Sequence, residues 1–137
     1  MWGSDEPPRL PTGGAPPSQP DYFPPPGGYR FGFFTLTPES MSLPDDLGVT
    51  DALAEFREKL PGMAEVMEVD AAGMHTTDTI DFIVVISGAC WLELDDGAET
   101  RLGPGDCIVQ NGTRHAWHNR GDAPCVLFVS LLGATRA

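Results

Sequence analysis

The stretch from Gly73 to Asn119 constrains the fold most, because short apolar runs alternate there with sequences that favour tight turns. Asp95-Asp96-Gly97 is typical of a β-hairpin, since Asp and Gly tolerate positive φ at the two turn positions. Gly103-Pro104-Gly105-Asp106 is typical of a second tight turn. Short strands separated by turns, with little helical periodicity, predict an all-β sandwich or barrel.

Alternation of apolar and β-branched residues predicts the individual strands. One strand carries His75 and Thr77 on the same face, and Met63 to Val69 alternates as an edge strand would. One helix is predicted from Thr50 to Leu60, between a threonine that can cap it and a Pro-Gly pair that stops it. The other predicted strands are Tyr29–Leu36, Ile80–Ser87, Cys90–Leu94, Glu99–Leu102, Cys107–Gln110, Thr113–Asn119 and Cys125–Leu132.

The first 28 residues are rich in proline and glycine and predict an extended arm, because proline fixes φ and lacks the N–H that sheets and helices need. Two interpretations stay open for this arm. It is a solvated lead-in, or it packs on its own barrel or a neighbour's through Trp2, Tyr22 and Phe23. The predicted organisation is therefore an arm over residues 1–28 and a barrel domain over residues 29–137.

All three histidines lie in the central stretch, and two of them are predicted to meet an acidic residue. Side chains two apart on a strand share a face, so Asp81 faces the same way as Ile83, and His115 the same way as Trp117. If the strands close into one barrel, His75, Asp81 and His115 converge inside it. His118 is expected to point away from that interior.

The spacing around the first histidine resembles the first motif of the cupin family, G-x5-H-x-H-x3/4-E-x6-G. The chain has His75-x-Thr77-x3-Asp81-x6-Gly88. Thr77 stands where the family has its second histidine, and Asp81 replaces the glutamate. Val69 stands at the position of the opening glycine.

The spacing around the later histidine resembles the second cupin motif, G-x5-P-x-G-x2-H-x3-N. The chain has Gln110-x-Gly112-x2-His115-x3-Asn119, with Gln110 in place of the proline. Gly105 lies one residue closer to Gln110 than the motif asks. The resemblance implies a cupin-type double-stranded β-helix, or jelly-roll barrel, here with one short helix and the proline-rich arm.

The sequence is similar to a subgroup of small single-domain cupins, some of which are dehydratases or related tailoring enzymes acting on polyketide-like aromatics. This resemblance implies a lyase that uses histidine and aspartate acid–base chemistry on an apolar, oxygenated small molecule. His115 or His75 would be the base and Asp81 the orienting or acid partner. The residues expected to bind substrate are Thr77, Ile83, Gln110 and Trp117.

Two other functions stay open alongside the lyase. In the first, His75, Asp81 and His115 hold iron, manganese or zinc in a metal-dependent oxygenase or isomerase. In the second, the barrel is a non-catalytic binder of a small ligand, lined by apolar residues that include Val85 and Trp91. The cofactor prediction is accordingly none, or one divalent metal.

Composition limits the partners and the compartment. A net charge of −12 argues against nucleic acid, whose phosphates would be repelled. No apolar run of about 18 residues predicts a membrane span, and no signal-peptide pattern opens the chain, so a cytoplasmic location is expected. Cys90, Cys107 and Cys125 are odd in number and lack C-x-x-C spacing, which argues against a disulfide framework. We expect a homodimer, favoured by an unpaired sheet edge near the N-terminal strand.

Overall fold

The computed structural model describes residues 1–15, 21–41, 54, 57–58, 60–71 and 73–137. One short helix and eight strands are defined there. The elements are β1 (Trp2–Ser4), β2 (Tyr29–Leu36), α1 (Met63–Val66), β3 (Thr79–Ser87), β4 (Cys90–Leu94), β5 (Glu99–Leu102), β6 (Cys107–Asn111), β7 (His115–His118) and β8 (Cys125–Gly133).

Two antiparallel sheets form the barrel. The larger has the order β1-β2-β8-β3-β6 and the smaller the order β5-β4-β7. Their inward side chains share one apolar core, which confirms the predicted all-β barrel. The buried core residues are Ile83, Val85, Cys90, Leu102, Cys125, Leu127, Val129 and Leu131. Among the described residues, no helix has the length and hydropathy needed to cross a membrane.

Most predicted strands are confirmed to within two residues at each end, and Tyr29–Leu36 is confirmed at both ends. The strand predicted over Met63–Val69 is wrong, because its first four residues form α1. Met63, Val66 and Met67 repeat with helical spacing, and Gly62 turns the chain into the helix with a φ of 85°.

The predicted strand carrying His75 and Thr77 is also wrong. His75 makes only isolated bridges, to Met67 and to His115, and Thr77 lies outside every strand. Because His75 and Thr77 do not lie on one regular strand, strand alternation does not determine that their side chains point the same way. The predicted helix from Thr50 to Leu60 lies mostly outside the described residues.

The N-terminal arm packs on its own barrel. β1 pairs antiparallel with β2, so that Trp2 lies opposite Phe31 at the edge of the larger sheet. The buried Arg30 side chain donates to the Asp5 carboxylate and to the backbone carbonyls of Asp21 and Tyr29. These bonds tie the arm to β2 at two separate points.

The end of the arm also touches the last residue of β8. The Gly27 N–H donates to the Gly133 carbonyl at 3.0 Å, and the Gly133 N–H donates to the Gly28 carbonyl at 2.9 Å. A Cβ at Gly133 would lie 1.8 Å from the Pro25 carbonyl oxygen, a distance that no side chain can occupy. Glycine at this position is therefore what allows the arm to approach β8 so closely.

Candidate active site

A cavity of about 180 Å³ lies between the two sheets. β3, β7 and β8 each direct alternate side chains into it, as strand geometry requires. Its lining is mainly apolar, with a few polar groups, which is the usual character of a small-molecule site. The lining residues are Tyr22, Phe23, Phe34, Leu36, Leu60, Met63, Met67, Gly73, His75, Asp81, Ile83, His115, Trp117, Leu127, Val129 and Leu131.

Two histidines lie side by side in this cavity. His75 and His115 exchange both backbone hydrogen bonds, at 2.9 and 3.0 Å, although they are 40 positions apart in the sequence. Their ring centroids are 4.2 Å apart, with an angle of 51° between the planes. The ring of Trp117 meets that of His115 edge-on at 6.0 Å.

Backbone carbonyls orient both imidazoles. His75 Nδ1 lies 3.0 Å from the Gly73 carbonyl oxygen, and His115 Nδ1 lies 2.8 Å from the Thr113 carbonyl oxygen. A carbonyl only accepts, so each Nδ1 carries the proton, and each Nε2 keeps its lone pair. Burial lowers the pKa of His75, and burial together with the neighbouring His75 lowers the pKa of His115 to about 4. At neutral pH both rings are uncharged.

The Asp81 carboxyl is the unusual polar group in the cavity. Asp81 is 4% exposed, and its buried Oδ1 has no hydrogen-bond partner among the described residues. Burial raises the pKa of Asp81 to about 6, although a hydrogen bond with the Thr79 side chain opposes the shift. Burial, and then the charge of Asp81, raise the pKa of the Tyr22 phenol, which therefore keeps its proton.

Five of the predicted site residues line the cavity, and two do not. His75, Asp81, His115, Ile83 and Trp117 are brought together there. The two that stay outside the lining are Thr77 and Gln110. The Thr77 hydroxyl accepts a hydrogen bond from Thr79 at 2.8 Å, and the Gln110 amide donates to the Thr113 carbonyl at 3.2 Å.

His118 lies outside the cavity, on the other side of the smaller sheet. Its ring nitrogens contact Glu39 at 2.7 Å and Glu93 at 2.8 Å. Val85 and Trp91, expected in the lining of a ligand-binding barrel, are also elsewhere. Val85 is in the core. The guanidinium groups of two arginines lie over the ring of Trp91.

Whether the three residues predicted to bind a metal could hold one ion together depends on the separation of their donor atoms. In the described part of the chain, three donor atoms within 4.8 Å of one another occur at Glu93, Glu99 and His118. His75, Asp81 and His115 share the cavity but do not form such a group. A three-ligand metal centre needs donors close enough to reach one ion, so this arrangement does not fit one.

Much of the apolar wall comes from residues that the sequence pattern did not single out. Phe34 and Leu36 share the inward face of β2, and Met63 and Met67 flank the short helix. The alternation in Tyr29–Leu36 predicts that the β2 pair shares one face of its strand. No sequence pattern identifies the methionines as lining residues, because the alternation of their segment predicts a strand.

A profile of the Cupin_2 family, described as the cupin domain, matches residues 63–131. Phomopsin biosynthesis cluster protein C' of Diaporthe leptostromiformis is 42% identical over 79 residues, which cover 53% of this chain and 42% of that protein. Oryzines biosynthesis cluster protein J of Aspergillus oryzae is 42% identical over 65 residues, covering 44% of this chain and 36% of that protein.

The cupin-domain-containing oxidoreductase fogC of Aspergillus ruber is 41% identical over 46 residues, covering 34% of this chain and 23% of that protein. The chain thus spans less than half the length of the curated relatives that it matches. The similarity to these proteins is therefore local.

Proposed function

Since the chain belongs to the cupin domain family, we propose that it is a small-molecule tailoring enzyme of lyase type that removes water from an apolar, oxygenated substrate. The carrying observation is the Asp81 Oδ1 atom, which lies buried in an apolar cavity with two neutral imidazoles and has no hydrogen-bond partner in the part of the chain that the structure describes. A buried acceptor without a partner is costly, and a bound substrate oxygen would supply the missing contact. The biosynthesis-cluster names of two relatives support a tailoring role.

The reaction that suits these groups is elimination of water from a β-hydroxy ketone. A neutral imidazole, His115 or His75, accepts the α-proton at Nε2, while the C–O bond of the β-hydroxyl breaks. Protonated Asp81 donates its proton to the departing hydroxyl, which leaves as water. The imidazolium then returns its proton to the Asp81 carboxylate, so the enzyme is regenerated and no oxidant is required.

The raised pKa of Asp81 fits the acid role. A carboxyl with a pKa of about 6 stays protonated at a higher pH than an exposed one would. The apolar walls exclude water, which strengthens the contacts between these groups and the substrate.

Single substitutions test this proposal with β-hydroxy aromatic ketones, by following the absorbance of the conjugated product. Asp81→Asn, His75→Gln and His115→Gln are made separately, with His118→Gln as a matched control outside the cavity. We expect losses in kcat/KM of about 10²-fold or more for Asp81→Asn and for the histidine that is the base, and wild-type turnover for the control.

The pH profile tests the direction of proton transfer. If Asp81 is the acid, kcat/KM falls as the pH rises through about 6 and the carboxyl ionises. A rate that rises through this range would make Asp81 the base. Full turnover in all three cavity variants would refute the acid–base proposal altogether.

The alternative is a metal-dependent oxygenase or isomerase, which the name of the similar Aspergillus ruber oxidoreductase favours. Because His75, Asp81 and His115 do not form a three-ligand group in this structure, such an enzyme would hold its metal with fewer of these residues or with others. Elemental analysis of the purified protein, followed by chelation and addition of iron, manganese or zinc, distinguishes it. A stoichiometric metal whose removal abolishes turnover would establish this alternative. A ligand that co-purifies unchanged, with no turnover of any hydroxy ketone, would instead establish a binding protein.

A further inference from the structure

The dehydration proposed above makes a demand on the cavity that the imidazoles and Asp81 do not meet. As the α-proton moves to an imidazole, negative charge grows on the ketone oxygen of the substrate. A hydrogen-bond donor placed at that oxygen stabilises the charge and lowers the barrier. Asp81 cannot serve there, because its proton goes to the departing hydroxyl. The reaction therefore calls for one more donor in the cavity.

Few side chains of the cavity lining can donate a hydrogen bond. In His75 and His115 the Nδ1–H group is turned to a backbone carbonyl, and each Nε2 is an acceptor. Apart from the protonated carboxyl, the described lining residues with a side-chain O–H or N–H group are Tyr22, with its phenol, and Trp117, with its indole. The side-chain donor for the ketone oxygen is therefore one of these two.

The shape of a β-hydroxy ketone selects between the two donors. Its two oxygens are on carbons separated by a single carbon, so the donor to the ketone has to be a neighbour of the acid that serves the hydroxyl. Burial, and then the nearby charge of Asp81, raise the pKa of the Tyr22 phenol, so this phenol is such a neighbour. The Trp117 ring instead meets His115 edge-on. A phenol is also protonated at neutral pH, as a donor must be.

The N-terminal arm fixes the backbone that carries Tyr22. Both polar groups of the peptide bond between Asp21 and Tyr22 are hydrogen-bonded. The Tyr22 N–H donates to the Pro61 carbonyl at 2.7 Å, and the buried Arg30 side chain donates to the Asp21 carbonyl at 3.2 and 3.3 Å. The phenol ring meets Phe34 edge-on, with centroids 6.2 Å apart. A donor held in place in advance stabilises developing charge without a cost of reorganisation.

We propose that Tyr22 is a further catalytic residue, whose phenol donates a hydrogen bond to the ketone oxygen of the substrate. This role rests on the proposed function, because it requires a carbonyl substrate. The phenol keeps its proton throughout, since the α-proton goes to an imidazole Nε2 and the departing hydroxyl takes the proton of Asp81. The arm, which precedes the region that matches the cupin domain, thereby supplies part of the catalytic site.

Tyr22→Phe tests this role in turnover, because it removes the phenol oxygen and keeps the ring that packs on Phe34. Tyr29→Phe removes the same atom from a residue outside the cavity lining and is the matched control. With β-hydroxy aromatic ketones we expect kcat/KM to fall about 10²-fold in Tyr22→Phe, as on loss of one oxyanion donor, and to keep its wild-type value in the control. Circular dichroism verifies that each variant is folded.

A second measurement needs binding but no turnover. Acetophenone has no hydroxyl to eliminate, and a hydrogen bond to its oxygen lowers the stretching frequency of its carbonyl. With acetophenone labelled at the carbonyl carbon, infrared difference spectra should show a lower frequency in the wild type and in Tyr29→Phe than in Tyr22→Phe. We expect the dissociation constant to rise about tenfold in Tyr22→Phe. Trp117→Phe, which removes the indole N–H, should keep the lower frequency.

The role is supported if Tyr22→Phe loses both the frequency shift and kcat/KM. It is overturned if folded Tyr22→Phe keeps either of them, if Trp117→Phe loses the shift in its place, or if the wild type does not bind the ketone. A wild type that turns over no β-hydroxy ketone would also overturn it as a catalytic role.

Failure of the acid–base proposal gives a different result. Asp81→Asn and the two histidine variants would then turn over the ketone fully, while Tyr22→Phe alone lost the frequency shift and kcat/KM. That result would support the hydrogen bond from Tyr22 and refute the roles proposed for the carboxyl and the imidazoles.

Discussion

The Asp81 carboxyl lies where its charged form is disfavoured. It is buried among apolar side chains, and its Oδ1 has no hydrogen-bond partner within the described residue ranges. In the folded state, burial therefore raises the pKa of Asp81 to about 6 from its ordinary value of 3.8. A group of this kind lowers the stability of the fold at neutral pH, and such groups cluster at functional sites.

Asp81→Asn is predicted to stabilise the protein above pH 6. Below about pH 3.8 the carboxyl is protonated in both the folded and the unfolded state, so the variant and the wild type are equally stable. Between about pH 3.8 and 6 the carboxyl ionises in the unfolded state but stays protonated in the folded state, so the wild type loses stability over this range, and the loss is complete above pH 6. The variant should then be more stable by roughly 2–3 kcal/mol.

Denaturant unfolding of both proteins at several pH values between 4 and 8 measures this difference. Asp122→Asn, the same change at an exposed position, is the reference for an ordinary substitution. An Asn variant that is less stable than the wild type at pH 8 would show that the Asp81 charge is compensated in the folded protein.

At the scale of the elements, local patterns predicted the strands well and the connections between them poorly. Alternation and Asp-Gly turn chemistry are local, so β2, β4 and β5 were predicted to the residue. The segment Met63–Val69 is too short to distinguish the 2-residue period of a strand from the 3.6-residue period of a helix. The strand predicted there is therefore wrong. The pairing of His75 with His115 depends on tertiary contacts, which no local pattern encodes.

The N-terminal arm also shows that local sequence patterns do not predict tertiary contacts. Proline content predicted an extended segment, but the bonds that fix its position come from one buried side chain in β2. Arg30 is fully buried, and its charge is compensated by Asp5, whose side chain is 39% exposed. An arginine in a strand of aromatic residues gave no indication of its partner 25 residues away.

Asp5→Asn is predicted to destabilise the protein by about 1–2 kcal/mol, because it leaves a buried guanidinium without a carboxylate. The expected loss is smaller than for a fully buried pair, since water reaches Asp5. Glu6→Gln, an exposed neighbour of the same charge, should change the free energy of unfolding by less than about 0.5 kcal/mol. Equal effects of the two substitutions would mean that Arg30 is stabilised by its backbone contacts alone.

At the scale of the whole molecule, the net acidic charge and the apolar side chains exposed on β2, β3 and β6, such as Phe33, Phe82 and Val109, act in opposite directions on self-association. Each copy carries a net charge of −12, so association has to overcome repulsion that salt screens. The apolar contact itself depends much less on ionic strength. The balance between the two would set the strength of the expected homodimer.

The dimer is therefore predicted to tighten with salt. Raising the ionic strength from about 0.01 M to 0.15 M shortens the screening length from about 30 Å to 8 Å. We expect the dissociation constant to fall by about tenfold, measured by sedimentation equilibrium at each salt concentration. A dissociation constant that rises with salt would indicate an interface held by ion pairs instead.

The wall of the cavity is built from two parts of the chain, one inside the region that matches the cupin domain and one before it. The histidines and Asp81 lie within residues 63–131, which match the cupin domain, whereas Tyr22, Phe23 and the aromatic face of β2 precede that region. Under the proposed function, exchanging the leading segment for that of another barrel would reshape one side of the chamber without replacing the imidazoles or the carboxyl. The range of molecules admitted could then change while the groups proposed to move protons stay in place.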